Sequence, residues 1–199
     1  MIHFGERKLL MDRFYMSKEN IDKSLPPTKF LWMDLEMTGL DTSKHRIIEV
    51  AIEVTDLDFK TLASYEAVIK QDEDILVNMD TWSLEQHELS GLTERVRQQG
   101  REEKEVIHEI VGFIAAQFGD EPAVLAGNSI HNDRAFIKAQ WPEIEDLLHY
   151  RMLDVSSYKV LLQAKYQLEF KKKGLHRASD DIQASIAELQ YYLEWFKKN

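Results

Sequence analysis

Cysteine is missing altogether from the 199 residues, and with it go disulfide scaffolds, zinc–thiolate sites, iron–sulfur clusters and thiol nucleophiles. Any metal site in this chain must be built from oxygen and imidazole. Long apolar runs are missing too. None approaches the roughly 20 residues needed to span a bilayer, and the charged N-terminus has no apolar core of the kind a signal peptide carries. The simplest expectation is a cytoplasmic protein with no membrane partner. Basic charge is the third shortage: 25 Lys and Arg face 35 Asp and Glu, for a formal charge of −10. Binding to long duplex nucleic acid is driven by Lys and Arg displacing counterions, so an acidic chain is poorly suited to it. The imbalance is uneven. Six Asp and Glu and no Lys or Arg lie between Gln71 and Ser90, whereas Arg151 to Asn199 carries nine basic residues against six acidic ones.

What is present is ordinary globular material, 44% hydrophobic and 30% charged. A chain of this length can bury roughly 70% of the surface its unfolded form exposes and needs no staple. Residues 1–27 show no sustained periodicity and close on Pro26-Pro27, so they are expected to be a flexible leader. Met11 and Met16 lie inside it, which makes Met16 a candidate translation start. Intact mass of the native protein decides that point.

Lys29 to Met37 reads as a buried strand. Arg46 to Thr55 and Thr61 to Lys70 are β-branched and aromatic runs joined by a short polar link, which predicts antiparallel neighbours. Helices are expected near Asp80 to Glu88 and Gly91 to Gln99, and over Glu102 to Phe118, where Val106, Ile110, Phe113 and Ile114 form a stripe. Pro122 to Gly127 is a short apolar strand. A helix follows over Asn132 to Trp141, Pro142 opens another, and Met152 to Val155 forms a last strand. Ser179 is the expected cap of a final helix whose core face holds Ile182, Ile186, Leu189, Leu193 and Phe196. Strands first, then strands alternating with helices, indicate one α/β domain over residues 28–199, a mixed central sheet flanked by helices.

Period-two alternation on the first strand puts Phe30, Trp32, Asp34 and Glu36 on one face and Leu31, Met33, Leu35 and Met37 on the other. Two carboxylates thus project side by side from a strand otherwise fit for burial. Like charges so close are costly unless a cation neutralises them. A strand end emerging into solvent is the plain alternative, but Met37-Thr38-Gly39-Leu40 stays apolar and small where a solvated end turns polar. Asp133 falls at a helix start beyond the Asn128-Ser129 turn, at a sheet end where ligands gather in α/β folds. Asp180 and Asp181 open the last helix, where either could simply favour the helix dipole. His176 stands in a loop five residues before Asp181. Hard oxygen ligands without thiolate suit Mg²⁺ or Mn²⁺. Such sites perform metal-assisted phosphoryl transfer, and a nearby histidine can take the proton of the attacking water.

These residues resemble the motifs of a known family. Trp32-Met33-Asp34-Leu35-Glu36-Met37-Thr38-Gly39-Leu40 is similar to the first motif of the DEDD exonucleases. Gly127-Asn128-Ser129-Ile130-His131-Asn132-Asp133 resembles the second, and His176 with Asp181 has the spacing of the third in the histidine subclass. Met79-Asp80-Thr81-Trp82 and His149-Tyr150-Arg151-Met152-Leu153-Asp154-Val155-Ser156 extend the likeness to members that cut very short RNA. The resemblance implies a ribonuclease-H-like exonuclease fold, a homodimer, and 3′→5′ hydrolysis of short RNA oligonucleotides, dinucleotides included, to 5′-mononucleotides. It implies that Asp34, Glu36, Asp133 and Asp181 hold two divalent cations, Mg²⁺ or Mn²⁺, with Asp34 bridging them and Asp133 acting partly through water, and that His176 is the general base. It further implies that Leu40 wedges between the bases, that Trp82 and His87 flank the 3′-terminal nucleoside, that Ser129, Arg151 and Ser156 hold the 5′ phosphate, and that Tyr150 supports that pocket from across the dimer. His131-Asn132 stands where Gly-Gln is usual, and Ser157 where Thr is usual. The leader has no counterpart. Two other readings stay open: a proofreading or RNA-trimming relative for longer chains, and an inactive nucleic-acid-binding protein. An extended basic track is missing, which weighs against the first; the complete acidic set weighs against the second.

Overall fold

Apolar residues that change side at every step, with turn residues between the runs, make the first three strands. The computed structural model describes residues 26–171 and 178–198. Strands β1 (Phe30–Met37), β2 (Ile47–Thr55) and β3 (Thr61–Val68) form an antiparallel meander. Helices α1 (Glu73–Val77), α2 (Thr81–Leu89), α3 (Leu92–Gln99) and α4 (Glu103–Phe118) follow. Then come β4 (Ala123–Gly127), α5 (His131–Gln140), α6 (Pro142–Glu145), β5 (Leu148–Asp154), α7 (Val155–Tyr166) and α8 (Ala178–Lys198). The sheet order is β3-β2-β1-β4-β5, with β4 parallel to both β1 and β5. It is therefore the mixed sheet expected, covered on both faces.

The two faces of β1 feed two cores. Leu31, Met33 and Leu35 join Val106, Ile110 and Ile114 of α4 and Phe136 and Ile137 of α5. Trp32 joins Ala126, Leu162 of α7, and Ile182, Ile186, Leu189 and Tyr192 of α8. Each such fully buried aliphatic side chain contributes on the order of 1.5–3 kcal/mol. Trp32 also satisfies its one donor, since Nε1–H donates to Thr55 Oγ1 at 3.0 Å.

Five expectations need adjustment, the first being Phe196, which is exposed near the end of α8 and lies off its core face. Helix α7 is not foreseen because its apolar residues show no stripe: Val155 and Leu162 are buried while Val160 and Leu161 face solvent. The acidic stretch contains the short α1, which buries only Leu76. Strand β5 starts at Leu148, earlier than Met152, because an edge strand can carry exposed Tyr150 and Arg151 without alternation. Ser179 lies within α8, which already includes Ala178, so it does not precede the helix as its cap. The leader through residue 25, and His176, lie outside the described residues.

Candidate active site

The site opens where two parallel strands part company. The β1/β4 ladder ends at Trp32 opposite Ala126, but β1 runs on to Met37. Beyond that point β4 no longer meets β1, and the Leu35 amide donates to Asp133 Oδ1 at 2.9 Å. Gly127, the last residue of β4, lets β1 and the following turn pass close to it. A Cβ there would lie 3.0 Å from the Met33 carbonyl oxygen and 2.9 Å from Ile130 Cδ1.

Asp34 and Glu36 project from this overhang, and α8 packs its first turn against it, bringing Asp181. One carboxylate oxygen from each of Asp34, Glu36 and Asp181 lies within 4.8 Å of the others. Asp133, on the first turn of α5, is buried beside them. Burial first, then the charges of Glu49, Asp181 and Asp133, push the Glu36 carboxyl up to about 7, with partial relief from Arg95. Burial likewise lifts Asp133 to about 7, against the opposing hydrogen bond from Leu35. Carboxylates held this far from their ordinary range, with oxygens converging and no thiolate near, are a donor set that fits a hard divalent cation.

The other expected residues fall into three groups. Thr38 O accepts the Asp80 amide at 2.9 Å, and Asp80 Oδ1 caps α2 by accepting from the Ser83 amide at 2.8 Å. This tie brings the Gly39-Leu40 turn against the start of α2. A Cβ on Gly39 would meet Asp80 Oδ2 and His45 Nε2 at 2.5 Å, so only glycine permits that approach. Leu40 and Trp82 stand out from these two segments as large apolar side chains at 71% and 67% exposure. His87, one turn further along α2, is buried. Its Nε2–H donates to the Met37 carbonyl at 2.9 Å and its Nδ1 lies 4.0 Å from Glu36 Oε2. Burial holds this imidazole below its ordinary range.

Across the cleft, Ser129 and Ser156 meet. Their hydroxyls are 3.0 Å apart, and the Ser129 amide donates to Ser156 Oγ at 2.8 Å and to Asp154 Oδ1 at 3.0 Å. Asp154 Oδ1 also caps α7 through the Ser156 amide at 2.9 Å. Tyr150 and Arg151 pair with each other on the exposed edge of β5, the guanidinium 5.0 Å from the ring centroid.

Several contributors escape a reading of motifs. Glu49 sits directly opposite Glu36 in the β1/β2 register and is neutralised by Arg95, Nη1 to Oε1 2.7 Å. A glutamate within a strand that is mostly apolar and wholly buried was the available signal. Asp154 and Asn128 organise the serine pair. Glu188 is buried on α8, on the same helical face as Asp181, Ser185 and Tyr192, and that spacing is visible in the sequence.

The chain is similar to known proteins in both sequence and fold. A family model described as Exonuclease (RNase_T) matches residues 31–189. The oligoribonuclease of Shewanella loihica is 43% identical over 172 residues, covering 84% of this chain and 94% of that protein. That of Pseudomonas aeruginosa is 42% identical over 176 residues, covering 86% and 98%. Among solved structures, E. coli exonuclease I in complex with a dT13 oligonucleotide superposes with a TM-score of 0.62 at 15% identity, over 83% of this chain and 41% of that one. The exonuclease I of Methylocaldum szegediense gives 0.58 at 18% identity, over 81% and 39%. The chain thus spans about 40% of the length of these exonuclease I chains, and at such identity they establish the fold alone. The match to the curated relatives, over 84–86% of this chain and at over 40% identity, goes further: the chain belongs to the oligoribonucleases, a family of 3′→5′ exoribonucleases within the DEDD exonuclease superfamily.

Proposed function

We propose that the chain hydrolyses very short RNA, dinucleotides above all, from the 3′ end to 5′-mononucleotides, using two divalent cations, Mg²⁺ or Mn²⁺. The observation that carries this reading is the convergence of Asp34, Glu36 and Asp181 oxygens within 4.8 Å at the overhanging end of β1. Cations bound there would activate the attacking water and stabilise the leaving oxygen. Asp34, Glu36 and Asp181 would hold the cations, with Asp34 shared between them. Asp133 acts partly through water, in keeping with an Oδ1 already engaged by the Leu35 amide. His176 takes the proton of the water as its oxygen bonds to phosphorus. The bond from phosphorus to O3′ breaks, O3′ leaves with a proton, and the terminal residue departs as a 5′-monophosphate.

The remaining residues position the substrate. Leu40 enters between the two bases, and Trp82 and His87 flank the 3′-terminal nucleoside. Ser129, Ser156 and Arg151 hold the 5′ phosphate, Arg151 through the planar fork that suits an oxyanion. Tyr150 supports that pocket from a second copy of the chain. The exposed Val160 and Leu161 of α7 supply an apolar face for such a homodimer. The domain spans residues 28–199 behind the leader, in the cytoplasm. Among the described residues, no helix is long and apolar enough to cross a membrane.

The test is hydrolysis of 5′-phosphorylated RNA from dinucleotide to long oligomer, with Mn²⁺ and then with chelator. A steep fall with length and full loss in chelator are expected. A rate that holds or rises with length would establish the trimming relative instead.

A further inference from the structure

Glu188 is 0% exposed, in the core between α8 and the sheet. A carboxylate there is costly unless its oxygens are taken. Tyr192 OH donates to Oε1 at 2.8 Å and Asn128 Nδ2 donates to Oε2 at 2.9 Å. Asn128 Nδ2 also donates to Ser185 Oγ at 3.1 Å, and that hydroxyl donates to the Asp181 carbonyl at 2.8 Å. On its other side Asn128 Oδ1 accepts from Ser156 Oγ at 3.0 Å, and Ser156 Oγ accepts the Ser129 amide at 2.8 Å. The carboxylate decides the orientation of the amide: only NH₂ can face Glu188, so only Oδ1 can face Ser156. Hydrogen bonds therefore run unbroken from the first turn of α8, which carries one cluster carboxylate, to the serine pair across the cleft. The turn needs such a hold. Ser129 has φ 51°, a left-handed conformation that a serine adopts only at a cost.

We propose that Glu188 is a positioning residue: through Asn128 it bolts the Ser129–Ser156 turn to α8 and so fixes the distance from the 5′-phosphate pocket to the carboxylate cluster, acting as the ruler for substrate length. The inference rests on the dinucleotide reading above. In a 5′-phosphorylated dinucleotide the two phosphates are one nucleotide apart, and a pocket held at that spacing rewards this span alone. A longer chain reaches past the pocket and gains nothing from its placement. Misplacing a bound group by about 1 Å costs up to ~100-fold in rate, and here only the substrate that uses the pocket would bear that cost.

Glu188→Gln tests this at constant volume, since it offers one acceptor and one donor where two donors now converge. The readout is kcat/KM on 5′-phosphorylated dinucleotide and tetranucleotide. The dinucleotide value should fall roughly tenfold or more, and the tetranucleotide value less than about twofold. Asn128→Ala cuts the same tie from the other side and should shift the ratio alike, so it serves equally if Glu188→Gln does not fold. Tyr192→Phe removes the other bond to Glu188 and leaves the tie to Asn128. It should lower stability and leave the ratio where it was. Selective wild-type enzyme with an unchanged ratio in Glu188→Gln or Asn128→Ala overturns the inference alone. A wild-type enzyme indifferent to length overturns the dinucleotide reading and the inference together.

Discussion

Replacing Asp133 by Asn should stabilise the cation-free protein, and by an amount set by pH. The asparagine keeps an oxygen where Oδ1 now accepts the Leu35 amide, so the backbone hydrogen bond survives. What it removes is a carboxyl lifted from an ordinary 3.8 to about 7 by burial. Because the folded value is above the unfolded one, the native state holds a proton that the unfolded chain releases between those limits. Stability therefore falls as pH rises from about 4, and the loss is complete above about 7. Each unit corresponds to 1.36 kcal/mol, so the full penalty approaches ~4 kcal/mol at pH 8 and is close to zero at pH 4. For a domain of this size that is on the order of 10 °C in melting temperature. Thermal or urea melts of both proteins in chelator, at pH 4.5 and pH 8, give the measurement. Asp133→Asn should exceed wild type by only about 1 kcal/mol at the lower pH and by several kcal/mol at the higher. Saturating Mn²⁺ should narrow the gap, because a bound cation offsets the same charge. A difference between the two proteins that does not vary with pH would refute the reasoning.

Other outcomes follow from the site. Asp34→Ala should abolish divalent-dependent cleavage, whereas His176→Ala should cut kcat by about 10²–10⁴ and leave Mn²⁺ affinity within a few-fold, as titration calorimetry would show. Arg151→Ala should raise KM for a 5′-phosphorylated dinucleotide more than for its 5′-hydroxyl counterpart; equal effects on the two would count against a phosphate contact. Leu161→Asp should shift the sedimentation coefficient from dimer to monomer and lower dinucleotide activity with it, and a wild-type protein that sediments as a monomer would remove the proposed pocket across the dimer.

Much of this arrangement could be seen in the chain itself, and the reasons are specific. β1 was legible because its alternation is strict and because Asp34 and Glu36 interrupt the apolar side at the same period. The antiparallel meander was legible from β-branched runs with a polar link between them. α7 was not, because Val160 and Leu161 are apolar and exposed, which destroys the stripe that marks a helix packed on one face. The start of β5 was hidden for a related reason, since an edge strand can place Tyr150, Arg151 and Met152 toward solvent. At the site, the motif carboxylates announced themselves by being misplaced in apolar surroundings. Glu49, Asp154 and Glu188 did not, since each is meaningful only through a partner distant in sequence: Arg95 for Glu49, Ser129 for Asp154, Asn128 for Glu188. Spacing can show that a glutamate lies on a buried face. It cannot show which amide or guanidinium the fold will bring to meet it.

The parts of the carboxylate cluster enter the chain far apart in time. Asp34 and Glu36 lie on the first strand, Asp133 follows the fourth, and Asp181 comes only with the last helix, which closes over β1 and β2. A ribosome delivers them in that order, and domains take shape as they emerge. A nascent chain can thus assemble its sheet while still lacking the final oxygen donor. If the four carboxylates hold the cations as proposed, an enzyme that destroys RNA cannot gather them until α8 has been made and has docked. Cation affinity would then be a readout of finished folding, and any cut or slip that frees α8 would silence the nuclease before it unfolds the sheet.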